Sequence, residues 1–194
     1  MRQSINSKWI ALIVVAVFLL FWLIGWYWSF APATYDVNKR VAQQTSVANP
    51  ANIAGYTLTS TMIEVSETLL DKPGGYLSND VIPPGVFLDN MPSFEFGVLE
   101  MIRDLALSMR KDFSRSQSQS IENPYLTKAH PKFNMDHRSW MFPSSESSYR
   151  DGITLLKQYR DALADPQNGD SQFYTRADNL REWLKQVEKR LGSY

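Results

Sequence analysis

Few residues in this chain have both the type and the spacing that chemistry needs. His130 and His137 lie seven apart, with Asp136 beside the second, and imidazole with carboxylate makes a zinc ligand set. Seven residues is not a regular ligand spacing and Pro131 interrupts the segment, so loop histidines making ordinary hydrogen bonds are the better reading. Glu100 and Asp104 stand four apart on one helix face, as a paired acid and base would. Arg103 sits beside them, and a solvated charged face accounts for all three. Ser144, Ser145, Ser147 and Ser148 surround Glu146, but there is no Gly-x-Ser-x-Gly elbow and no ordered base nearby. Helix capping is the simpler use of these serines. Pro73-Gly74-Gly75 is too short for a phosphate loop and lacks the following Lys-Ser/Thr. The expectation is a chain with no catalytic, metal or cofactor residues, hence not an enzyme.

Composition narrows the classes further. The 194 residues hold 20 basic and 20 acidic side chains, two histidines and no cysteine. Arg2 and Lys8 are the only charges before residue 31, which leaves 18 basic against 20 acidic residues in the remainder, a net of −2. That balance argues against a nucleic-acid partner. The absence of cysteine excludes a disulfide scaffold and a zinc-thiolate site. A single apolar run in a chain of mean hydropathy -0.30 excludes a polytopic transporter.

The run is Trp9–Phe30, 22 residues in which only Gly25 and Ser29 are not hydrophobic. As a helix it would extend about 33 Å at ~1.5 Å per residue, enough for a hydrocarbon core of ~30 Å. Trp9 marks one end and Trp26, Tyr27 and Trp28 the other, with Trp22 a turn further in. Such amphipathic rings suit the two headgroup zones, and these five are the expected anchor residues. Ala31-Pro32-Ala33 has the small-x-small look of a signal-peptide cleavage site. The run is longer than an ordinary signal core and Pro32 sits inside that site, so an uncleaved anchor is expected. Gly25 notches the helix surface, but small-xxx-small spacing is missing, so no strong self-dimer through this helix is expected. Arg2, Lys8 and the amino terminus crowd the first flank, which places that side in the cytoplasm and the polar bulk in the periplasm of a Gram-negative cell.

The remainder reads as helices. Residues 1–8 form a short cytoplasmic N-terminus, 9–30 the transmembrane helix, 31–55 a periplasmic tether with a short helix over Val37–Gln44, and 56–194 an α-helical periplasmic domain. A helix over Leu58–Lys72 buries Leu58, Met62, Val65 and Leu69 and stops at Pro73-Gly74-Gly75. Tyr76–Pro92 is an apolar-rich loop packed on the helices. Ser93 caps a helix to Phe113, with Phe94, Val98, Met101, Ile102, Leu105 and Met109 in one stripe and Glu95, Glu100, Arg103 and Asp104 mainly off it. Ser114–Ser120 is an exposed Ser/Gln tract. Ile121–Pro143, with three prolines, reads as irregular and anchored by Phe133, Trp140, Met141 and Phe142.

Ser144 or Ser145 begins a helix to Ala164 carrying Tyr149, Ile153, Leu156 and Leu163. A tight Asp165–Gly169 connection then leads antiparallel into the clearest amphipathic segment. Phe173, Ala177, Leu180, Leu184, Val187 and Leu191 step by 4-3-4-3-4, the spacing of a helix-packing seam. Strand signals are nearly absent. The fold class is therefore all-α: one N-terminal transmembrane helix followed by a helical bundle with long irregular loops.

Several long strings carry a resemblance. They are GYTLTSTMIEVSETLLDKPGGYLSNDVIPPGVFLDNMPSFEFGVLE from Gly55, then DFSRSQSQS, FPSSES and FYTRADNLREWLKQVEKRLGS. Over Gly55 to Ser193 the chain resembles an uncharacterised family of membrane-anchored Gram-negative bacterial proteins, domain of unknown function 2333. The resemblance implies one N-terminal membrane anchor and brings no catalytic or binding residues. Family members usually continue past the point where this chain stops, so a longer parent protein is expected.

These features point to a non-enzymatic subunit or scaffold of an inner-membrane complex, whose partners are the lipid bilayer and other inner-membrane or periplasmic proteins. Its rival is a membrane-tethered periplasmic enzyme acting on the cell envelope, in whose favour a cleft converging on His130, Asp136 and His137 would discriminate. The long loops Tyr76–Pro92 and Ser114–Trp140 are either binding surfaces or a cover over a thin core.

Overall fold

A computed structural model describes residues 7–44, 47, 49–116, 121–165, 167 and 171–193. Arg2, Gln117–Ser120, Asn168–Gly169 and Tyr194, which enter the expectations above, lie outside those residues. The described residues form α1 (Ser7–Trp28), α2 (Val37–Gln44), α3 (Tyr56–Asp71), α4 (Asn90–Ser108), α5 (Pro124–Phe133), α6 (Ser145–Ala164) and α7 (Ala177–Leu191), with no strand among them. The all-α class holds.

The first helix, α1, is long and apolar enough to cross a membrane. Most of its side chains, Trp9, Trp22, Trp26 and Tyr27 included, point outward, Ile24 and Trp28 are half-buried, and Gly25 is buried. Pro32 follows its end, and α2 has the expected bounds. Arg40 ties α2 to α3 by donating from Nε to Glu64 Oε1 at 2.8 Å.

The core lies between α3, α4, α5 and α6. Met62, Ile63, Leu69, Leu99, Ile102, Met109, Leu126, Phe133, Tyr149, Leu156 and Tyr159 close it from all four. Because α3 is contacted by α2, α4 and α6, its buried surface differs from the single stripe expected: Met62 and Leu69 are buried, Leu58 and Val65 only half-buried, and Tyr56, Thr59, Ser60, Ile63 and Leu70 are buried besides.

Three boundaries differ from the sequence reading, each for a local reason. Asp89, not Ser93, caps α4, its carboxylate accepting from Asn90 N at 2.8 Å. Pro92 falls within the first turn, where the missing N–H has no helical partner to lose. The helix leaves Ser108 through a π-turn over Met109–Phe113. Ten residues of the segment read as irregular, Pro124–Phe133, form α5. Asn123 Oδ1 accepts from Tyr125 N and Leu126 N at 3.0 and 3.2 Å, and Pro124 occupies the first helical position. Pro131 sits inside α5, in its last turn. Of the four anchors expected there, Phe133 is buried, but Trp140, Met141 and Phe142 are exposed at the tip of a turn.

Between α5 and α6 the approach is close. A Cβ on Gly152 would lie 2.9 Å from the ring of Phe133, a core side chain with no room to retreat. Gly152→Ala gains roughly 1 kcal/mol of helix propensity but forces overpacking that costs about 1–3 kcal/mol. A net loss of stability is expected in a thermal melt. A melt at or above that of the native chain would mean that the interface is looser than this.

The last helix does not run antiparallel on α6 across the Asp165–Gly169 turn, as expected; it packs on α4. The reason is ionic. Arg190 donates from Nε and Nη2 to Asp104 at 2.5 and 2.8 Å, and from Nη1 to Glu100 at 2.9 Å. Asn179 donates to the Asp112 carbonyl at 2.7 Å.

Candidate functional site

Two surfaces stand out, one where α1 meets the bundle and one on α7. The first is assembled from the turn after α3. Lys72 closes α3 and turns inward to a carboxylate, Glu95 on α4, with both side chains at 0% exposure. Lys72 Nζ donates to Glu95 Oε1 and to the Gly75 carbonyl. Glu95 also accepts from Leu77 N at 2.8 Å, Ser78 N at 2.7 Å and Ser78 Oγ at 2.5 Å. Sequence periodicity placed Glu95 off the apolar stripe, but the buried face of α4 is Met91, Glu95, Leu99, Ile102, Ala106 and Met109, one residue round from the expected one. No local signal joins Lys72 to Glu95 across the intervening loop.

This pin fixes Pro73-Gly74-Gly75 as a platform for α1. Gly74 has φ +86°, a conformation that side chains rarely adopt, and a Cβ there would lie 2.7 Å from Trp28 Cγ. One turn earlier on α1, the Gly25 notch faces Pro84 Cβ and Leu88 Cδ2, at 3.5 and 3.7 Å from where its Cβ would be. The notch is filled by the chain's own loop.

Behind that loop lies a cleft of about 800 Å³ whose walls include Ser78, Asp80, Val86, Leu88, Phe96, His137 and Arg138. Burial, aided by Glu95 and Glu146, raises the Asp80 carboxyl. Burial and the neighbouring Arg138 guanidinium lower His137, whose ring packs 4.7 Å from that of Phe96. Asp136 Oδ1 is 3.6 Å from His137 Nδ1. His130 belongs elsewhere. Its Nε2 is 3.0 Å from Nδ2 of Asn134, the residue that follows α5, and burial together with Arg110 and Lys111 lowers its pKa. The cleft therefore gathers His137 with Asp80 and Arg138, and not with His130.

The other candidate groups act in the fold. Glu100 and Asp104 receive Arg190, and Arg103 bridges α4 to the Phe133 and Met135 carbonyls at 2.8 and 2.7 Å. Ser144 caps α6, and Ser145 donates to the Asp136 and Ser139 carbonyls at 2.7 and 2.9 Å. Asn79 Nδ2 reaches the Ser139 carbonyl at 2.9 Å and Glu146 Oε2 at 2.8 Å, so the loops bearing Val81–Phe87 and Trp140–Phe142 share a base.

The second surface is α7. Its inward residues are Asn179, Trp183, Gln186, Val187 and Arg190, none fully buried. Of the expected seam, Phe173 and Val187 are half-buried, with Phe173 stacked on Phe113 at 5.0 Å. Ala177, Leu180, Leu184 and Leu191 face out, the three leucines at 48%, 51% and 67% exposure. Within one chain, then, most of the seam is unpartnered. Where α7 begins, a groove of about 480 Å³ runs between Ile53, Leu58, Phe113, Phe173, Leu180 and Trp183.

An all-α chain with one membrane-length N-terminal helix docked on a small helical bundle is the class these features define. The chain belongs to the bacterial family described as an uncharacterized protein conserved in bacteria, DUF2333, which it matches over residues 2–194. The match takes in α1 and the tether as well as the strings that begin at Gly55. No curated protein and no solved structure matches it.

Proposed function

We propose that this protein is a single-pass inner-membrane protein, N-terminus in the cytoplasm, whose helical bundle stands in the periplasm as a non-enzymatic subunit or scaffold of a membrane protein complex. The observation that carries this reading is the division of α7 into two faces. Arg190 holds one face to α4 and Asn179 holds it to the π-turn that follows, through ion pairs and a hydrogen bond, while Leu180, Leu184 and Leu191 stand exposed at heptad spacing on the other. A row of leucines in water is unfavourable by roughly 25 cal/mol per Å² of apolar surface, and its spacing suits a partner helix with a seam of its own. The catalytic alternative gains less support, because His130 is turned toward Asn134 and not toward His137.

A photoreactive side chain at Leu184, in the full-length chain in native membranes, is expected to cross-link to another polypeptide. The same group at Glu182, exposed on a different face, is expected to give none. Equal labelling, or none at Leu180 and Leu184, would sink the reading. For topology, a periplasm-dependent reporter fused after Tyr194 is expected to be active, and an active cytoplasmic reporter there would reverse the orientation.

A further inference from the structure

The Val81–Leu88 loop exposes more apolar surface than a soluble loop should, and it does so beside α1. Between Asp80 and Asp89 the sequence Val-Ile-Pro-Pro-Gly-Val-Phe-Leu carries no charge and no polar side chain. Phe87 and Ile82 are 78% and 68% exposed, and Val81 and Val86 are about half exposed. Its backbone also offers few donors, because two of its eight residues are prolines. Pro83 and Pro84 have no N–H, and the N–H groups of Val86, Phe87 and Leu88 bond to the Ile82, Pro84 and Gly85 carbonyls at 3.2, 3.0 and 3.0 Å. A segment entering hydrocarbon must satisfy its backbone internally, and three of this loop's six N–H groups do so.

The contact with α1 fixes the depth. Pro84 and Leu88 sit against Gly25. The midpoint of Ser7–Trp28 falls between Val17 and Phe18, so Gly25 lies about 11 Å from it at ~1.5 Å per residue. Half of a hydrocarbon core is ~15 Å. A loop that touches α1 at that level lies at or inside the edge of the apolar zone, level with Trp26 and Tyr27.

We propose that Val81–Leu88 is a second membrane contact, seated in the outer leaflet beside α1 with Ile82, Val86 and Phe87 among the lipid chains. This rests on the reading of α1 as a membrane span. It holds the bundle down on the bilayer at two points, and it brings the cleft lined by Val86, Leu88 and Arg138 to the headgroup surface.

The chain has no cysteine, so single cysteines can carry an environment-sensitive fluorophore. Phe87→Cys, Ile82→Cys, Leu20→Cys in α1 and Asp151→Cys at an exposed position of α6 would be labelled in the full chain and reconstituted into phosphatidylcholine–phosphatidylglycerol vesicles. The vesicles would carry nitroxides either high on the acyl chains or near their ends. Phe87→Cys and Ile82→Cys are expected to be quenched several-fold more than Asp151→Cys by the high nitroxide, and Leu20→Cys most by the deep one. Loop probes no more quenched than Asp151→Cys, with Leu20→Cys still quenched, would overturn the proposal while leaving the anchor standing. That is also the outcome if a protein, rather than lipid, covers the loop. An unquenched Leu20→Cys would overturn the anchor and the loop contact with it.

Discussion

Glu95→Gln is expected to destabilise the bundle by about 3–5 kcal/mol, the usual cost of breaking a buried ion pair from one side. The amide has nearly the shape of the carboxylate, so the loss is chemical. Glu95 receives Lys72 Nζ, Leu77 N, Ser78 N and Ser78 Oγ on its two oxygens, and every one of these partners is a donor. An amide replaces one of those oxygens with an NH2 group, sets donor against donor, and leaves the Lys72 ammonium buried without its counter-charge. Lys72→Met breaks the same pair from the other side. The Glu95 carboxylate keeps the Leu77 and Ser78 groups but loses its counter-charge, and the Gly75 carbonyl loses its donor. At roughly 2–4 °C of Tm per kcal/mol for a chain of this size, Glu95→Gln should be plain in a melt in detergent. The double variant should cost less than the sum of the singles, because residues in one network are not additive. The comparison is Lys132→Met, which breaks the exposed pair with Asp151 and should cost no more than about 1 kcal/mol. If Glu95→Gln melted with Lys132→Met, the pin would not hold the Gly74 platform on which Trp28 rests.

The same residues show where sequence reading stops. The regular elements are legible: α2 and α6 fall where composition and capping put them, Ser144 caps α6, and α3 begins two residues before its expected start. Prolines misled. Pro92 and Pro124 were read as breakers, yet both lie in first turns, and Asn123, the cap that makes α5 a helix, gave no signal strong enough to outweigh them. Apolar content at Trp140–Phe142 was read as anchoring because composition does not say which way a side chain points. The clearest miss was the burial face of two helices. In α4 the buried row is one residue round from the most apolar row, and in α7 the docked row is one residue back from the leucine seam, each a rotation of about 100°. Charged groups decide both, Glu95 through Lys72 in one and Arg190 through Glu100 and Asp104 in the other. Their partners lie on different elements, where no periodicity within a window can register them. The candidate site was less legible still. Asp80 and Arg138 join His137 only through folding of two separate loops, and the fit of Gly25 to Pro84 spans the whole distance from anchor to bundle.

Leu156→Ala is expected to lower stability by about 2–5 kcal/mol, through lost transfer energy and the cavity left behind. Leu156 is wholly buried on α6, in the core with Phe133, Tyr149 and Tyr159, and a deletion there cannot be filled by water. Out of a total of ~5–15 kcal/mol for a domain of this kind, the loss is severe, and the variant should melt well below the native chain at every protein concentration. Leu184→Ala removes the same atoms from α7 with a different expected result. Half of its surface is already in water, so in the isolated chain it should cost little, within the ±0.5 kcal/mol of ordinary surface changes. What it should lose is association: the cross-link from the leucine face, and any concentration dependence of size in mild detergent. Lys185→Ala, the next residue, should change neither quantity. The three variants separate a core from a docking face by two measurements, a melt and a size. A large, concentration-independent drop in Tm for Leu184→Ala would mean that the seam is packed within the chain, and that α7 sits on the bundle by its leucines rather than by Arg190.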